Sequence, residues 1–312
     1  MAATFANLGT KGGYSVQTVA MSSQESRKHR SPLSELLRLP SGPVNMADLD
    51  AEASPGYPGE GKSDAPELTA AIGPELSDLQ EMLYAAGRST PETAPRVLVV
   101  LQGMDTSGKG GVIRHAIGLV DPQGVDLTSF KAPSAEERAH HYLWRIKNAL
   151  PGPGKIGIFD RSHYEDVLVV RVDSLVPESE WSKRYAEINE FEAELVAGGT
   201  KLIKCMLNVS FDEQKARLAE RLDDPTKHWK YNPGDVDSRQ KWPAYMDAYA
   251  AALELCNTAD APWYVIPANK KWYRNWAVAE LLRETLDGLS LSWPVADFDV
   301  ERGLFVYRKR LA

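Results

Sequence analysis

Apolar positions along the chain follow two rhythms. Short runs rich in β-branched residues mark strands buried on both faces, and stripes at three- and four-residue spacing mark the helices between them. Strands are expected at 97–101, 126–131, 155–159, 202–207 and 263–266. A first helix starts near Pro74, carries Leu76, Leu79, Leu83 and Ala86 inward and stops at Gly87, since proline suits a first helical turn. Val112, Ile113, Ala116, Ile117 and Val120 share a second helical face. Ser134 with Glu137 forms a capping box for a helix bearing Ala139, Tyr142, Leu143, Ile146 and Leu150,. A long helix from Pro177 holds Trp181, Tyr185, Ile188, Phe191 and Leu195 on one face and closes at Gly198-Gly199. Ser210 with Glu213 caps another, and Tyr245, Tyr249, Ala252 and Cys256 line one more. The alternating run 303–308 reads as an edge strand or an oligomer contact. Strands alternating with helices imply an α/β protein with a five-stranded parallel sheet between two helical layers, a three-layer α/β/α architecture.

Composition narrows the class. Among 312 residues, 43% are hydrophobic and 25% charged, as in an ordinary globular chain,. A formal charge of −7 disfavours a general nucleic-acid or membrane surface, so any polyanion must meet local basic clusters,. Cys205 and Cys256 are too few for a disulfide framework or a metal site and read as buried thiols of a cytoplasmic protein,. There is no apolar run of about eighteen residues and no signal-peptide core, so no membrane partner is expected. Residues 1 to about 35 lack periodicity and are expected to be mobile, with Met21 a second candidate start,. The Pro- and Gly-rich stretch 36–62 reads as an extended arm over the domain, with Asp48 and Asp50 as solvated charge,.

The first strand runs straight into Gly103-Met104-Asp105-Thr106-Ser107-Gly108-Lys109-Gly110-Gly111, which has the G-x-x-x-x-G-K spacing of a phosphate-binding loop,. The glycines let successive N–H groups surround an anion, the helix end adds positive potential, and Lys109 adds a point charge. Gly110 stands where a hydroxyl ligand for magnesium is usual, and Asp105 is the replacement candidate. Asp160 ends the 155–159 strand, where phosphate-loop proteins hold magnesium or the attacking group. Arg161 could fork onto a phosphate. Glu165 and Asp166 read equally well as site acids or as acids of a helix's first turn. His140 and His141 point about 100° apart on a helix and cannot share a metal.

Arg217 and Arg221 lead into DDPTKHWKYNPGD, whose Lys227 and Lys230 flank His228 and Trp229, a basic segment resembling a mobile lid,. Lys270, Lys271 and Arg274 follow the last strand without an acid among them. With Lys227 and Lys230 they could form a cationic track for a long polyanion.

The set GMDTSGKGG, FDRSHYEDVLVVRV, DDPTKHWKYNP and PWYVIPANKKWYRNW resembles the polyphosphate kinase 2 family, in the thymidylate-kinase-like branch of phosphate-loop kinases. The resemblance spans about 36–289, and HYEDVLVVRV is most similar to the subgroup accepting nucleoside mono- and diphosphates. It implies reversible phosphoryl transfer between inorganic polyphosphate and nucleotides, with Mg2+ (Mn2+ as substitute), in a cytoplasmic homo-oligomer, dimer or tetramer. It also implies a core of Asp105, Lys109, Asp160 and Arg161, with Arg217 and Arg221 as lid arginines, Glu165 as the acid associated with monophosphate acceptance, and metal on Asp105 and Asp160. The domain plan is then an extension to 35, an arm and helix over 36–92, a phosphate-loop kinase domain over 93–289 with a helical lid at about 217–240, and a C-terminal extension over 290–312. An ATP-dependent nucleoside monophosphate or deoxynucleoside kinase would need the same loop, strand-end acid and lid. A nucleotide-holding regulatory module and a polyphosphate store are the non-enzymatic alternatives.

Overall fold

The computed structural model describes residues 31–311, the side chain of Leu311 excepted. Met21 and most of the expected N-terminal extension lie outside the described residues. A short helix, α1 (Leu33–Leu37), buries Leu33 and Leu37 in the core. The carboxylate of Glu284 accepts the Leu33 and Ser34 amides at 2.7 and 2.9 Å. Residues 33–35, assigned by composition to the extension, are thus held by an acid far along the chain.

The arm then crosses the sheet edge, where Arg38 bridges to Tyr264 and the Leu39 amide donates to the Trp263 carbonyl. Two helices follow, α2 (Ala65–Ala70) and α3 (Gly73–Ser89). Gly87 does not end α3. A Cβ there would lie 2.4 Å from the Pro153 carbonyl oxygen, so this glycine allows the helix to press on the 153–154 backbone,.

The chain next builds β1 (Arg96–Gln102), α4 (Lys109–His115), β2 (Val125–Ser129), the short helices α5 (Ala135–Arg138) and α6 (Leu143–Asn148), and β3 (Ile156–Asp160). After α7 (Val169–Val172), α8 (Glu178–Trp181) and α9 (Arg184–Ala197) come β4 (Thr200–Asn208) and α10 (Phe211–Asp223). The remainder is α11 (Pro233–Gln240), α12 (Trp242–Leu255), β5 (Trp263–Pro267), α13 (Lys271–Asp287) and α14 (Val300–Leu311).

All strands are parallel in the order β2-β3-β1-β4-β5. Alternation along β1 divides the core. Val97, Val99 and Leu101 enter one cluster with Leu76, Leu83, Val112 and α13, whereas Leu98 and Val100 enter the other with Phe159, Ile188, Phe191 and Tyr249,. These are the two helical layers. Register sets Leu101 opposite Asp160 and Gln102 opposite Met206, so the loop after β1 emerges beside the end of β3.

Some expected elements differ. The single helix over 134–150 is broken: the Ser134–Glu137 capping box forms, but His141 Nδ1 accepts the Leu143 amide and starts a second segment. The helix from Pro177 is likewise split into α8 and α9. The run 303–308 is helical, since Val300, Leu304 and Tyr307 repeat at helical spacing and a short apolar run does not settle its own period,. The segment expected as a helical lid holds the end of α10, a 3-10 turn (Pro225–Lys230) and α11.

Candidate active site

The phosphate loop is held by its carbonyl groups. Arg217 Nη1 donates to the Thr106 and Ser107 carbonyls at 2.9 and 3.3 Å, and Arg274 Nη1 reaches the Ser107 carbonyl at 3.0 Å. Gln214 Nε2 donates to the Asp105 carbonyl at 3.2 Å, and Lys109 Nζ to the Gly103 carbonyl at 2.8 Å. In a planar trans peptide the N–H opposes the C=O. Anchoring the Asp105 and Ser107 carbonyls outward therefore turns the Thr106 and Gly108 amides the other way, toward an anion cradled by the loop. The loop needs positive φ at Gly103 (145°), Thr106 (66°) and Gly108 (107°). A Cβ on Gly108 would lie 1.7 Å from Arg274 Nη1. The Thr106 and Ser107 hydroxyls are buried without a hydrogen-bond partner. Met104 packs into the core, and Gly110 and Gly111 open α4.

Asp160 ends β3, its backbone carbonyl accepting from the Phe130 amide and one carboxylate oxygen lying 3.4 Å from Ser129 Oγ. Arg161 follows with φ 64°, its amide donating to the Leu101 carbonyl, so the turn is tied to β1. Its Nη2 donates to Asp105 Oδ1 at 2.7 Å. Burial alone would lower the Arg161 pKa, but Glu165 and Asp105 raise it above the ordinary value. Glu165 accepts from Gln102 Nε2 at 3.1 Å, and Asp166 pairs with Arg184 at 2.8 Å. Burial, with help from Arg161, lowers the Lys109 ammonium, while Asp105, Asp160 and Glu165 oppose it. Asp105, Lys109, Asp160, Arg161 and Glu165 thus share one electrostatic neighbourhood.

Arg217 and Arg274 meet the carbonyl groups of the loop. Arg217 is 6% exposed and Arg274 3%, and both brace the loop from beneath. Arg217 Nη2 also clamps the Ala268 and Asn269 carbonyls at 2.6 and 2.7 Å, and Nε pairs with Glu213. Arg221 pairs with Asp235 at 2.6 Å. Lys227 pairs with Glu220 and Asp224, and Lys271 with Glu220, so the acid missing from the local sequence arrives from α10. Lys270 donates to Ser54 Oγ, and Lys230 lies over the ring of Trp229, which is 79% exposed.

No sequence motif marks Gln214, although its spacing of three from Arg217 on α10 puts both on one face. Nor does one mark Asp235, whose pKa burial, then Asp105, raises against Arg221. Tyr249 feels Glu165 and Asp105, which with burial hold its hydroxyl well above the ordinary value. A separate cleft of about 810 Å³ lies between the arm, the 208–212 segment and α12. Its acids Asp50, Glu52, Asp212 and Asp247 suit it poorly to a polyanion, and no phosphate-loop residue lines it.

The chain is similar to known proteins. Residues 69–291 match the family model for polyphosphate kinase 2. The chain is 48% identical over 255 residues to an AMP/ADP-polyphosphate phosphotransferase of Meiothermus ruber, covering 82% of this chain and 93% of that protein. It is 40% identical over 263 residues to an ADP-polyphosphate phosphotransferase of Rhodopseudomonas palustris, covering 80% and 88%. The crystal structure of polyphosphate kinase 2 from Arthrobacter aurescens TC1 superposes with a TM-score of 0.84 at 51% identity, covering 89% of this chain and 97% of that one.

Proposed function

The chain belongs to the polyphosphate kinase 2 family, and from that premise we propose that it moves a phosphoryl group reversibly between inorganic polyphosphate and AMP or ADP. The observation that carries this reading is the 2.7 Å contact between Arg161 and Asp105, which joins the strand-end turn to the phosphate loop around Asp160 and Lys109. Phosphoryl transfer asks for in-line placement and charge neutralisation more than covalent chemistry. The loop amides and Lys109 bind the donor phosphates, Arg161 orients the phosphate of the acceptor, and Arg221 with the lid closes over both. A phosphate acceptor is already ionised near neutral pH, so no strong general base is needed.

Asp160, the last residue of β3, and Asp105, in the loop after the neighbouring β1, are hard oxygen donors that fit Mg2+, with Mn2+ as substitute. Among the described residues no three His, Cys, Asp or Glu side chains form a metal-sized group. Two carboxylates suit an ion that takes its other ligands from phosphates and water. When bound there, the metal would neutralise the charge of the transferring phosphate. We propose a cytoplasmic homo-oligomer, as the motif resemblance implies. Among the described residues no helix is long and apolar enough to cross a membrane.

A donor comparison tests the reading. Purified protein with Mg2+ and AMP or ADP receives long-chain polyphosphate or ATP, and nucleotide products are separated and counted. ADP and ATP formed from AMP and polyphosphate are expected. Transfer from ATP alone would make the protein an ordinary nucleoside monophosphate kinase.

A further inference from the structure

Beneath the strand-end turn lies a polar cluster that phosphate chemistry does not use. Lys204 on β4 and Glu192 on α9 are 0% and 1% exposed and pair at 2.6 Å. Lys204 Nζ also donates to Tyr164 Oη at 2.9 Å and to the Cys256 carbonyl at 2.7 Å, engaging all three protons,. Glu192 Oε1 accepts from Tyr164 Oη at 2.8 Å and faces His163 Nε2 at 3.1 Å. The ammonium lies over the rings of Tyr164 and Trp263. Burial would raise the Glu192 pKa, but Lys204 and His163 hold it below the ordinary value.

An ion pair so buried is a weak source of stability, because desolvation offsets the Coulomb gain. Its placement is more informative. His163 and Tyr164 belong to the 3-10 turn between Arg161 and Val167, and Cys256 caps α12, whose Tyr249 feels Glu165 and Asp105. Arg161 has a left-handed backbone, a conformation that persists only under restraint from its surroundings,. We propose that Glu192, Lys204 and His163 are positioning residues, one buried network that fixes Asp160, Arg161 and Glu165 relative to the helix following the lid. The proposal rests on the phosphotransferase reading of the same site.

Glu192→Gln/Lys204→Met removes both charges at similar volume. Glu280→Gln/Arg283→Met removes a comparably buried pair on α13, on the other face of the sheet, and serves as control. Turnover and urea melting are measured with hydrogen exchange of the peptide spanning 160–167. The first variant should fold, lose about 10- to 100-fold in kcat with KM for polyphosphate unchanged, and exchange faster in that peptide. The control should keep wild-type kcat and exchange there. Where Glu192→Gln/Lys204→Met does not fold, Tyr164→Phe, deleting only the shared hydroxyl, carries the same comparison. Wild-type exchange in 160–167, or an unchanged kcat in a wild-type protein that turns over, overturns the proposal. A wild-type protein that transfers nothing from polyphosphate defeats the functional reading instead, and the exchange result still decides the positioning.

Discussion

Arg274 offers a sharp test of how the phosphate loop is supported. Burial and then the neighbouring Arg217 pull its guanidinium from its ordinary value down to about 9, so it remains charged at neutral pH at a cost to the fold. That lowering corresponds to about 5 kcal/mol. The sign follows from linkage: below about pH 9 both folded and unfolded chains carry the proton and the folded state bears the full penalty. The penalty is relieved as pH rises above about 9 toward the ordinary guanidinium value, a window in which the unfolded chain binds more protons,. Against it stand hydrogen bonds from Nη1 to the Ser107 carbonyl at 3.0 Å and from Nε and Nη2 to Asn275 Oδ1 at 3.2 and 2.9 Å. Charge-assisted bonds of this kind contribute about 1.5 to 3 kcal/mol each, and with Nε and Nη2 sharing one acceptor the low end applies, where three bonds roughly offset the cost,. In Arg274→Met the Ser107 carbonyl keeps Arg217 as donor. The variant should therefore melt in urea within about 1 kcal/mol of wild type without anion. Loss of a cation beneath the loop should weaken tripolyphosphate binding about 10- to 100-fold, or ~1.4 to 2.7 kcal/mol, by titration calorimetry. A variant several kcal/mol less stable that binds tripolyphosphate as well as wild type would show Arg274 to be a brace alone.

Other consequences are direct. Gly108→Ala places a Cβ 1.7 Å from Arg274 Nη1 at a φ of 107°, so turnover should vanish with a destabilisation of roughly 2 kcal/mol or more in urea melts,. Burial pushes the Cys205 and Cys256 thiols up to about 12, and an aromatic disulfide reagent at pH 8 should label neither until the chain unfolds,. Hydrogen bonds from Lys227 and Lys271 bring Glu220 from 4.5 down to about 2. The lid contacts it makes are complete above pH 4.5 and lost as pH falls toward 2, which faster hydrogen exchange of 220–231 would register. Asp105→Asn frees Arg161 from its carboxylate; without Mg2+ it should bind tripolyphosphate about fivefold more tightly, ~1 kcal/mol, while turnover with Mg2+ falls, and weaker binding would count against the Arg161–Asp105 competition.

The sheet and the phosphate loop are legible in the sequence because their signals are local. An apolar run, two glycines and a lysine state strand, turn and anion site within a few residues, and Asp160 gains meaning from the strand before it. Arg217 and Arg274 are not legible in the same way. Nothing near them says whether a guanidinium will meet phosphate or a carbonyl, and only folding brings α10 and α13 under the loop. The cations at 270–274 read as free of acids because Glu220 is some fifty residues away along the chain, yet its carboxylate pairs with Lys271 at 3.0 Å. Lys204 looks like any strand lysine; its burial and three acceptors depend on α9, α12 and the strand-end turn together. The helix break at His140-His141 turns on one ring nitrogen accepting the Leu143 amide, a contact no periodicity reports.

These pairings change what the basic residues can contribute to binding. Counted along the sequence, the arginines and lysines of the loop, lid and last helix form a uniform attractive rim. In the folded chain Arg161 holds Asp105, Arg221 holds Asp235, and Lys227 and Lys271 hold Glu220. A phosphate that recruits any of them must exchange one charged partner for another, and only the difference is available as affinity. The exchange also carries information. On the roles proposed for these residues, an Arg161 that leaves Asp105 for a phosphate would free one of the two carboxylates assigned to the metal, and anion arrival would be coupled to metal binding. Lys230 and Lys270 have no carboxylate partner among the described residues, so a phosphate that met either would displace no acid, unlike one that met Arg161, Arg221, Lys227 or Lys271.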